Sequence, residues 1–364
     1  MKRIILVTLT VLLVSAIIFG GCAKPAEPTT PTTPTEPTKP PVKPIEWRYA
    51  SFIPPMDTYA YKAIDWAKEL EEATDGRMKI LFYWSESLIK MPGLFDALTS
   101  GTAHMGHFSY AQQPERFALA MGMTLPMLFR RPPQMGQAAV ALYNKYKEFR
   151  DPFGPTKLLW HNSPGPGGTL VTKDVPVQTM EDLKGLKLSS TSKYEILSYN
   201  LLGAVVVPVG VGERYHALET GVVDGSIEDW VAIFMWKSYE VTKYRTENID
   251  LTMRGFPTAV NTEAYNKLPE DIKQIFDGMT DPMGITKTMN EDYEVLFLEY
   301  RDDIKEYDAK VGNPPFNVLT EAERERWKTV VSPLQDEWAE EMEAKGLPGK
   351  AILADMKAFA EQYK

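Results

Sequence analysis

The chain has 364 residues, a length that suits two domains better than one, and its formal net charge at pH 7 is −9. This acidity disfavours nucleic-acid binding, which depends on Lys and Arg contacts to phosphate. The single cysteine excludes internal disulfides and a Cys-based metal site. The chain therefore needs a large hydrophobic core for its stability.

The N-terminus has the layout of a secretory signal peptide. Two basic residues precede an apolar run over 4–19, which is short for a membrane span of about 20 residues. Two glycines and Cys22 follow, and the segment resembles a bacterial lipobox with Phe19 where leucine is usual. We predict a lipoprotein signal peptide over 1–21 and an acylated Cys22, which would anchor the chain to a membrane. The alternative is a signal anchor that stays attached.

A linker follows the anchor over 22–44. Proline recurs at every third position from Pro25 to Pro40, with threonine between. This composition favours polyproline II, whose rise would let the linker reach about 70 Å. We expect a tether that holds the folded part away from the membrane.

The first folded segment alternates strands and helices. We predict strands at 47–52, 78–83 and 103–108, and helices at 57–73 and 92–98. Asp57 would cap the first helix, whose predicted apolar stripe consists of Tyr61, Ile64, Ala67, Leu70 and Ala73. This order favours a mostly parallel sheet with helices on its faces.

A second such unit begins near residue 169. Its predicted strands are 186–189, 205–208 and one starting at 223, and its predicted helices are 194–202 and 213–219. A long helix over 283–310 follows, about 40 Å in length. Its apolar stripe consists of Met289, Tyr293, Leu296, Phe297, Tyr300, Ile304 and Tyr307. At this length it would span both domains, and two charged helices, 321–345 and 350–363, would close the chain.

Several motifs follow one another between 46 and 345. They are 69–77, 94–101 with Met105 and Gly106, Pro-x-Leu-Phe at 126–129, Glu-Asp-Leu-Lys-Gly-Leu-Lys at 181–187, Tyr-x-Ala-Leu-x-Thr-Gly-Val-Val-Asp-Gly at 215–225, and 261–265 with Leu-Pro-Glu-Asp at 268–271. Together they resemble one family, the solute-binding subunits of tripartite ATP-independent periplasmic (TRAP) transporters, which include dicarboxylate-binding proteins. Each motif is modestly specific alone, and their order and spacing are specific together.

The resemblance implies an α/β, two-domain periplasmic-binding-protein fold, type II-like, with a long helix bridging both domains. The domains would be 45–168 plus 258–295, and 169–257 plus 296–364 with the C-terminal helices. The implied function is the capture of a small organic solute outside the cytoplasm and its delivery to TRAP-type permease subunits driven by an ion gradient. A membrane-anchored ligand sensor and a receptor for an ATP-driven transporter are the alternatives.

The sequence departs from the family at the expected ligand site. Family members usually carry arginine at the position of Ser189, where a guanidinium grips the ligand carboxylate. A hydroxyl cannot replace that bidentate contact. The common Gln-Glu-Asn-Pro is replaced by Ser-Ile-Glu-Asp at 226–229. We therefore expect a ligand with a positive or neutral polar head, or a carboxylate held through a metal ion or a displaced lysine.

The ligand site should lie between the two sheets, at the ends of their strands. Lys193 and Arg214 could replace the missing cation, although we expect both to face solvent. For the aromatic candidates, packing in the core is an equal alternative. The predicted ligand-binding residues are Trp84, Glu86, Tyr110, Trp160, Ser189, Ser190, Glu228, Asp229 and Trp230.

The sequence does not favour an enzyme. His104 and His107 are three apart on a predicted strand, which points them to opposite faces and away from a shared metal. A nucleophile elbow, a phosphate-binding loop and a His-Glu-x-x-His motif are all absent from the sequence. We expect no cofactor and no metal ligands.

Overall fold

A computed structural model describes residues 43–167 and 169–363. The strands are β1 (Ile45–Ser51), β2 (Met78–Tyr83), β3 (Met105–His107), β4 (Thr156–Asn162), β5 (Pro166–Gly167), β6 (Thr169–Thr172), β7 (Lys187–Ser189), β8 (Val205–Val207), β9 (Gly225–Glu228), β10 (Tyr244–Glu247), β11 (Thr252–Met253), β12 (Phe256–Asn261) and β13 (Asn317–Val318). The signal peptide, Cys22 and nearly all of the linker lie outside the described residues.

The α-helices surround these strands. They are α1 (Thr58–Ala73), α2 (Leu94–Thr99), α3 (Ala118–Met121), α4 (Pro132–Lys145), α5 (Lys147–Arg150), α6 (Lys193–Leu201), α7 (Val211–Glu219), α8 (Trp230–Met235), α9 (Thr262–Asn266), α10 (Glu270–Met279), α11 (Pro282–Val311), α12 (Glu321–Val331), α13 (Pro333–Ala344) and α14 (Gly349–Gln362). Within the described part of the chain, no helix is long and apolar enough to cross a membrane.

Two sheets organise the fold. The first has the order β2-β1-β3-β12-β4, and the second has the order β13-β10-β6-β9-β7-β8. The expectation of mostly parallel sheets needs correction. In the first sheet β12 runs antiparallel to both β3 and β4, and in the second β6 runs antiparallel to β9 and β10. Both exceptions are strands next to a crossing between the sheets, where the chain enters the new sheet in the opposite direction.

The crossings themselves pair with each other. The first crossing contains β5 and the second contains β11, and these form a short antiparallel ribbon in which Thr252 lies opposite Gly167. The ends of β7 and β9 and the start of β12 therefore all lie near the region where the chain passes between the sheets.

Helix α1 begins where its cap was predicted, and of the predicted apolar stripe only Ala67 and Leu70 are fully buried. The Asp57 side chain accepts a hydrogen bond from the Tyr59 backbone N–H at 2.9 Å. Tyr61, predicted to be apolar core, is exposed, whereas Ala63 and Trp66 are buried. Placing Trp66 in the core buries far more apolar surface than placing Ile64 there would, and this sets the rotation of the helix.

Helix α11 connects both sheets, as its length predicted. In its first half, Asn290 accepts a hydrogen bond from Ser163 N at 2.8 Å, directly after β4. In its second half, Phe297 and Ile304 pack with Trp230 beside the second sheet. The helix is thus attached to both halves of the fold.

The C-terminal segment forms three helices where two were expected. Pro333 occupies the first turn of α13 and ends α12, because proline cannot continue a helix from within. Trp327 of α12 packs into the core of the second sheet, whereas α13 and α14 pack with the helices beside the first. The domain boundaries stay a prediction, although this packing places 333–362 beside the first sheet.

Candidate functional site

The strands β7 and β9 are parallel and end at the same edge of the second sheet. Ser189 ends β7, and its hydroxyl donates a hydrogen bond to the Ser226 hydroxyl at 2.9 Å. Both side chains are fully buried. The position where family members carry arginine therefore holds a small, neutral and already satisfied pair.

A buried arginine lies nearby, on α7. Arg214 Nη1 is 3.2 Å from Glu228 Oε2, and the two side chains are 2% and 0% exposed. The pair is poorly aligned: Arg214 Nε and Nη1 and both Glu228 oxygens have no hydrogen-bond partner among the described residues. The expectation that Arg214 faces solvent was wrong. Its position three and four residues before Ala217 and Leu218, both buried, is the sequence signal for this orientation.

A second buried ion pair lies at the start of α6. The Ser190 hydroxyl donates to Glu195 Oε2 at 2.5 Å, and the Thr252 hydroxyl donates to Oε1 at 3.0 Å. Arg254 Nη2 donates to the same carboxylate at 3.1 Å. The Glu195 side chain is fully buried, and that of Arg254 is 27% exposed. Sequence reasoning missed both members of this pair, which come from segments about 60 residues apart.

Asp229 follows Glu228 at the end of β9 and caps α8. Its carboxylate accepts a hydrogen bond from Ala232 N at 2.8 Å. Burial raises the pKa of Asp229 to about 6, against the opposing charge of Arg254. The pKa of Asp57, at the start of α1, is also raised to about 6, mainly by burial and further by the charge of Asp229. Tyr59 and Val231, each two residues after one of these acids, belong to one buried cluster with Tyr293, so the starts of α1 and α8 lie near each other.

Of the tryptophans predicted to bind the ligand, two are buried in the core and one is half-buried. Trp160 is buried in the first half, where its Nε1 donates to the Tyr59 hydroxyl at 2.6 Å. Trp230 is also buried and stacks on Phe316. Trp84 is half-buried and stacks on the neighbouring Phe82 ring at 4.8 Å.

Tyr110 is a different case. Its hydroxyl is buried without a hydrogen-bond partner among the described residues, and its ring faces that of His161 at 5.8 Å. The two nitrogens of the His161 ring are likewise unpartnered. Burial lowers the pKa of His161 to about 3, so the ring is neutral at physiological pH.

Two further candidates are held within their own surroundings. The Glu86 side chain accepts from Met91 N at 3.0 Å and forms an ion pair with Lys90 at 3.2 Å. Lys193 is exposed and pairs with Glu341, as expected for a solvent-facing lysine. The structure thus brings together Ser189, Ser190, Glu228 and Asp229, whereas Glu86 and Trp160 have other partners.

His104 accepts a hydrogen bond from the Arg48 backbone N–H at 2.9 Å. His107 contacts the Ser51 hydroxyl and Asn162 Oδ1, and burial lowers its pKa to about 3. Among residues 43–167 and 169–363, no group of three or more His, Cys, Asp or Glu side chains is placed to hold a metal ion.

Comparisons with known proteins identify the family. Residues 49–341 match the model described as bacterial extracellular solute-binding protein, family 7. The C4-dicarboxylate-binding periplasmic protein DctP of Rhodobacter capsulatus is 26% identical over 325 residues, covering 86% of this chain and 92% of the relative. The ectoine/5-hydroxyectoine-binding periplasmic protein UehA of Ruegeria pomeroyi is 26% identical over 325 residues, covering 86% of this chain and 89% of that protein.

Solved structures agree in fold. A TRAP solute-binding protein from Rhodoferax ferrireducens, crystallised with copurified benzoate, superimposes with a TM-score of 0.79 at 21% identity, covering 88% of this chain and 98% of that one. A TRAP periplasmic solute-binding protein from Desulfovibrio salexigens, in an open complex, gives a TM-score of 0.78 at 25% identity, with coverages of 88% and 97%. The chain belongs to family 7 of the bacterial extracellular solute-binding proteins, and within it to the solute-binding subunits of TRAP transporters.

Proposed function

We propose that the chain captures a small organic solute between its two sheets, at the ends of β7 and β9, and delivers it to TRAP-type permease subunits. The main support is the poorly aligned Arg214–Glu228 ion pair: Arg214 Nε and Nη1 and both Glu228 oxygens are buried without a hydrogen bond among the described residues, whereas buried polar groups are almost always hydrogen-bonded. Groups supplied by a ligand would complete these contacts. The ligands of the relatives described above, a C4-dicarboxylate, ectoine or 5-hydroxyectoine, and benzoate, are all small organic molecules.

Each sheet with its surrounding helices forms one domain in this proposal, and the two close over the solute. A ligand that binds only the closed state raises stability by mass action, by about 2.7 kcal/mol at 100 times its Kd. Thermal unfolding with a library of small organic metabolites should therefore identify at least one compound that raises Tm. A library covering acids, amines, amino acids and polyols that produces no such shift would contradict solute capture.

We also propose that the protein is held at the membrane by a lipid on Cys22. The support is the sequence alone: a basic start, an apolar run over 4–19, two glycines before the cysteine, and the proline-rich linker after it. Acyl chains give stable membrane association when two are present.

The anchor predicts a simple fractionation result. A Cys22→Ser variant expressed in a host with lipoprotein processing should leave the membrane fraction, with its thermal unfolding unchanged. A Ser15→Ala variant, altered within the apolar run, serves as control and should stay with membranes. Equal membrane association of Cys22→Ser and the parent would refute the lipid anchor.

A further inference from the structure

Two rings beside the first sheet, those of Tyr110 and His161, are buried and face each other. Tyr110 lies just after β3 and His161 lies near the end of β4, and their ring centroids are 5.8 Å apart. The Tyr110 hydroxyl and both ring nitrogens of His161 have no hydrogen-bond partner in the part of the chain that the structure describes. Because buried polar atoms are almost always hydrogen-bonded in native proteins, these three atoms indicate a partner from outside the chain.

Other buried rings of the same half are paired. His107 is as buried as His161, and its two ring nitrogens contact a serine hydroxyl at 3.2 Å and an asparagine carbonyl oxygen at 2.9 Å. The hydroxyls of Tyr49 and Tyr59 hydrogen-bond to each other at 2.7 Å. The first half thus supplies partners to rings that belong to its core, and Tyr110 and His161 differ from these rings in lacking them.

The position of His161 is fixed without any hydrogen bond from its ring. Its backbone N–H donates to Thr286 Oγ1 at 3.0 Å, and its carbonyl oxygen accepts from Asn290 Nδ2 at 2.8 Å. On the other side, the ring lies against Gly255, where a Cβ atom would come within 2.6 Å of the ring carbon Cε1. His161 is therefore held between α11 and the second crossing, so its nitrogens are placed in advance for a partner.

The two rings adjoin the proposed ligand site. Arg254, next to Gly255, pairs with Glu195 near the start of α6, the helix that follows β7. Tyr110 belongs to the same buried cluster as Tyr194, which precedes Glu195. Both rings thus lie on the side of the first half that meets the second crossing and the start of α6.

The polar atoms of both rings are uncharged at neutral pH. Burial lowers the pKa of His161 to about 3 and raises the pKa of Tyr110 far above its usual value. A neutral histidine has one N–H donor and one nitrogen acceptor, and a tyrosine hydroxyl both donates and accepts. An uncharged group that also donates and accepts matches this set, whereas a buried ion would need an opposite charge that neither ring supplies.

We propose that Tyr110 and His161 form a subsite that hydrogen-bonds an uncharged hydroxyl or primary amide group of the captured solute. The proposal rests on solute capture as the function. Hydroxyl and primary amide groups combine a donor and an acceptor in a few atoms, so one such group can engage both rings. A solute held here and at the ends of β7 and β9 would contact both halves and favour their closure.

The test compares ligands that differ by one polar group, in the parent and in three variants. Tyr110→Phe removes a hydroxyl alone, and His161→Phe removes both ring nitrogens. Tyr199→Phe is the matched control, because the Tyr199 hydroxyl is also buried without a partner among the described residues but lies in the core of the second sheet. The ligand pairs are malate with succinate, mandelate with phenylacetate, 3-hydroxybenzoate with benzoate, glutamine with norvaline, glucose with 2-deoxyglucose, and every compound that raises Tm in the library screen with its counterpart lacking a hydroxyl or amide.

The proposal expects a preference within each pair that binds. The member with the hydroxyl or amide should bind the parent about 10-fold or more tightly than its counterpart, because the counterpart leaves buried groups unpaired. Tyr110→Phe and His161→Phe should each reduce this preference about 3-fold or more, and Tyr199→Phe should preserve it. Tyr110→Phe alone decides the case if His161→Phe does not fold.

Stability without ligand separates recognition from a structural role. If the Tyr110 hydroxyl serves the solute, Tyr110→Phe should unfold at the Tm of the parent when no ligand is present, because no bond within the protein is lost. A lower Tm with an unchanged preference would show that the hydroxyl is bonded to a buried water instead, and would overturn the proposal.

Equal affinity within every binding pair, or binders that all lack a hydroxyl and an amide, would also overturn the proposal and leave solute capture intact. A preference that Tyr110→Phe leaves unchanged would do the same. A complete lack of binding in the panel and the screen would instead reject solute capture, and this inference with it.

Discussion

The two halves of the molecule, each organised around one sheet, differ in the buried polar side chains that they contain. Beside the first sheet, the buried polar side chains are neutral: the His107 ring stacks on Tyr59 at 4.2 Å and on Phe52 at 5.0 Å. Beside the second sheet, they also include charged pairs, with Arg245–Asp308 at 3.0 Å in addition to Arg214–Glu228 and Arg254–Glu195. Ring packing thus holds the buried polar groups of the first half in place, and ion pairs contribute to this in the second half.

The difference shows how stability and recognition are divided. Burying aromatic rings stabilises a fold without directional demands beyond packing. A buried ion pair stabilises little over an apolar pair of the same shape, but removing one partner is costly. The buried ion pairs of the second half therefore orient side chains more than they stabilise the fold. They lie where we propose that a ligand's polar groups are recognised. Three predictions test this contrast.

The largest effect should come from breaking a fully buried ion pair of the second half, Arg245–Asp308. Arg245→Met leaves the buried Asp308 carboxylate without its partner and should lower the free energy of unfolding by about 3–5 kcal/mol. Urea denaturation at pH 7 measures the change. The double variant with Asp308→Leu should regain part of the loss, because the uncompensated charge is then gone. A single variant as stable as the parent would contradict the contrast.

The neutral histidines of the first half should make that half sensitive to acid. Burial lowers the pKa of His161 to about 3, below the unfolded value of about 6.5. The unfolded state therefore binds the proton first, and stability is lost as pH falls from 6.5 toward 3. His161→Phe removes this pH-dependent contribution without breaking a ring hydrogen bond between described residues. Between pH 7 and pH 5, the free energy of unfolding of the variant should therefore fall by about 2 kcal/mol less than that of the parent.

Asp57 and Asp229 contribute with the opposite sign, because their raised pKa values make their stabilisation fade as pH rises through about 6. Their terms are common to parent and variant and cancel in the difference. The control is His216→Gln, since His216 lies exposed on α7. An acid response in His161→Phe identical to that of the parent would show that His161 is not held neutral.

The smallest effect should come from one indole hydrogen bond in the first half. Trp160→Phe removes the Nε1 donor to Tyr59 and part of the ring, and should cost about 1–2 kcal/mol. Trp338→Phe is the control, because it is equally buried but its Nε1 lies 3.4 Å from the Ala118 carbonyl oxygen. Thermal unfolding should rank Trp160→Phe as the more destabilised. If Trp338→Phe were the more destabilised variant, the hydrogen bond from Trp160 to Tyr59 would not contribute as predicted.

Local signals predicted much of the fold. The Asp57 cap, the strand 78–83 and the long helix appear within a residue or two of their predicted bounds, because capping and periodicity act over a few neighbours. The antiparallel direction of β12 was missed, since direction is set by the crossing and not by the strand's own residues.

The candidate site was less accessible to sequence reasoning. Ser189, Ser190, Glu228 and Asp229 were placed correctly at the strand ends because the family motifs fix that edge, and their contact with a ligand stays a prediction. The pairing of Glu195 with Arg254 joins α6 to the second crossing. Such partners are brought together by topology alone, so neither residue carries a local signal of its neighbour.

Helix α11 sets a mechanical limit on how far the two halves can separate. Asn290 donates a hydrogen bond to the His161 carbonyl oxygen of β4, in the first half, and Phe297 packs with Trp230 in the second half. The free length between these two points is about 10 Å. At the radius of gently curved helices, about 60–100 Å, that length bends by only about 6–10°. In the domain closure proposed above, any wider opening must slide the helix along one sheet, so helix packing as well as the two crossings would have to change.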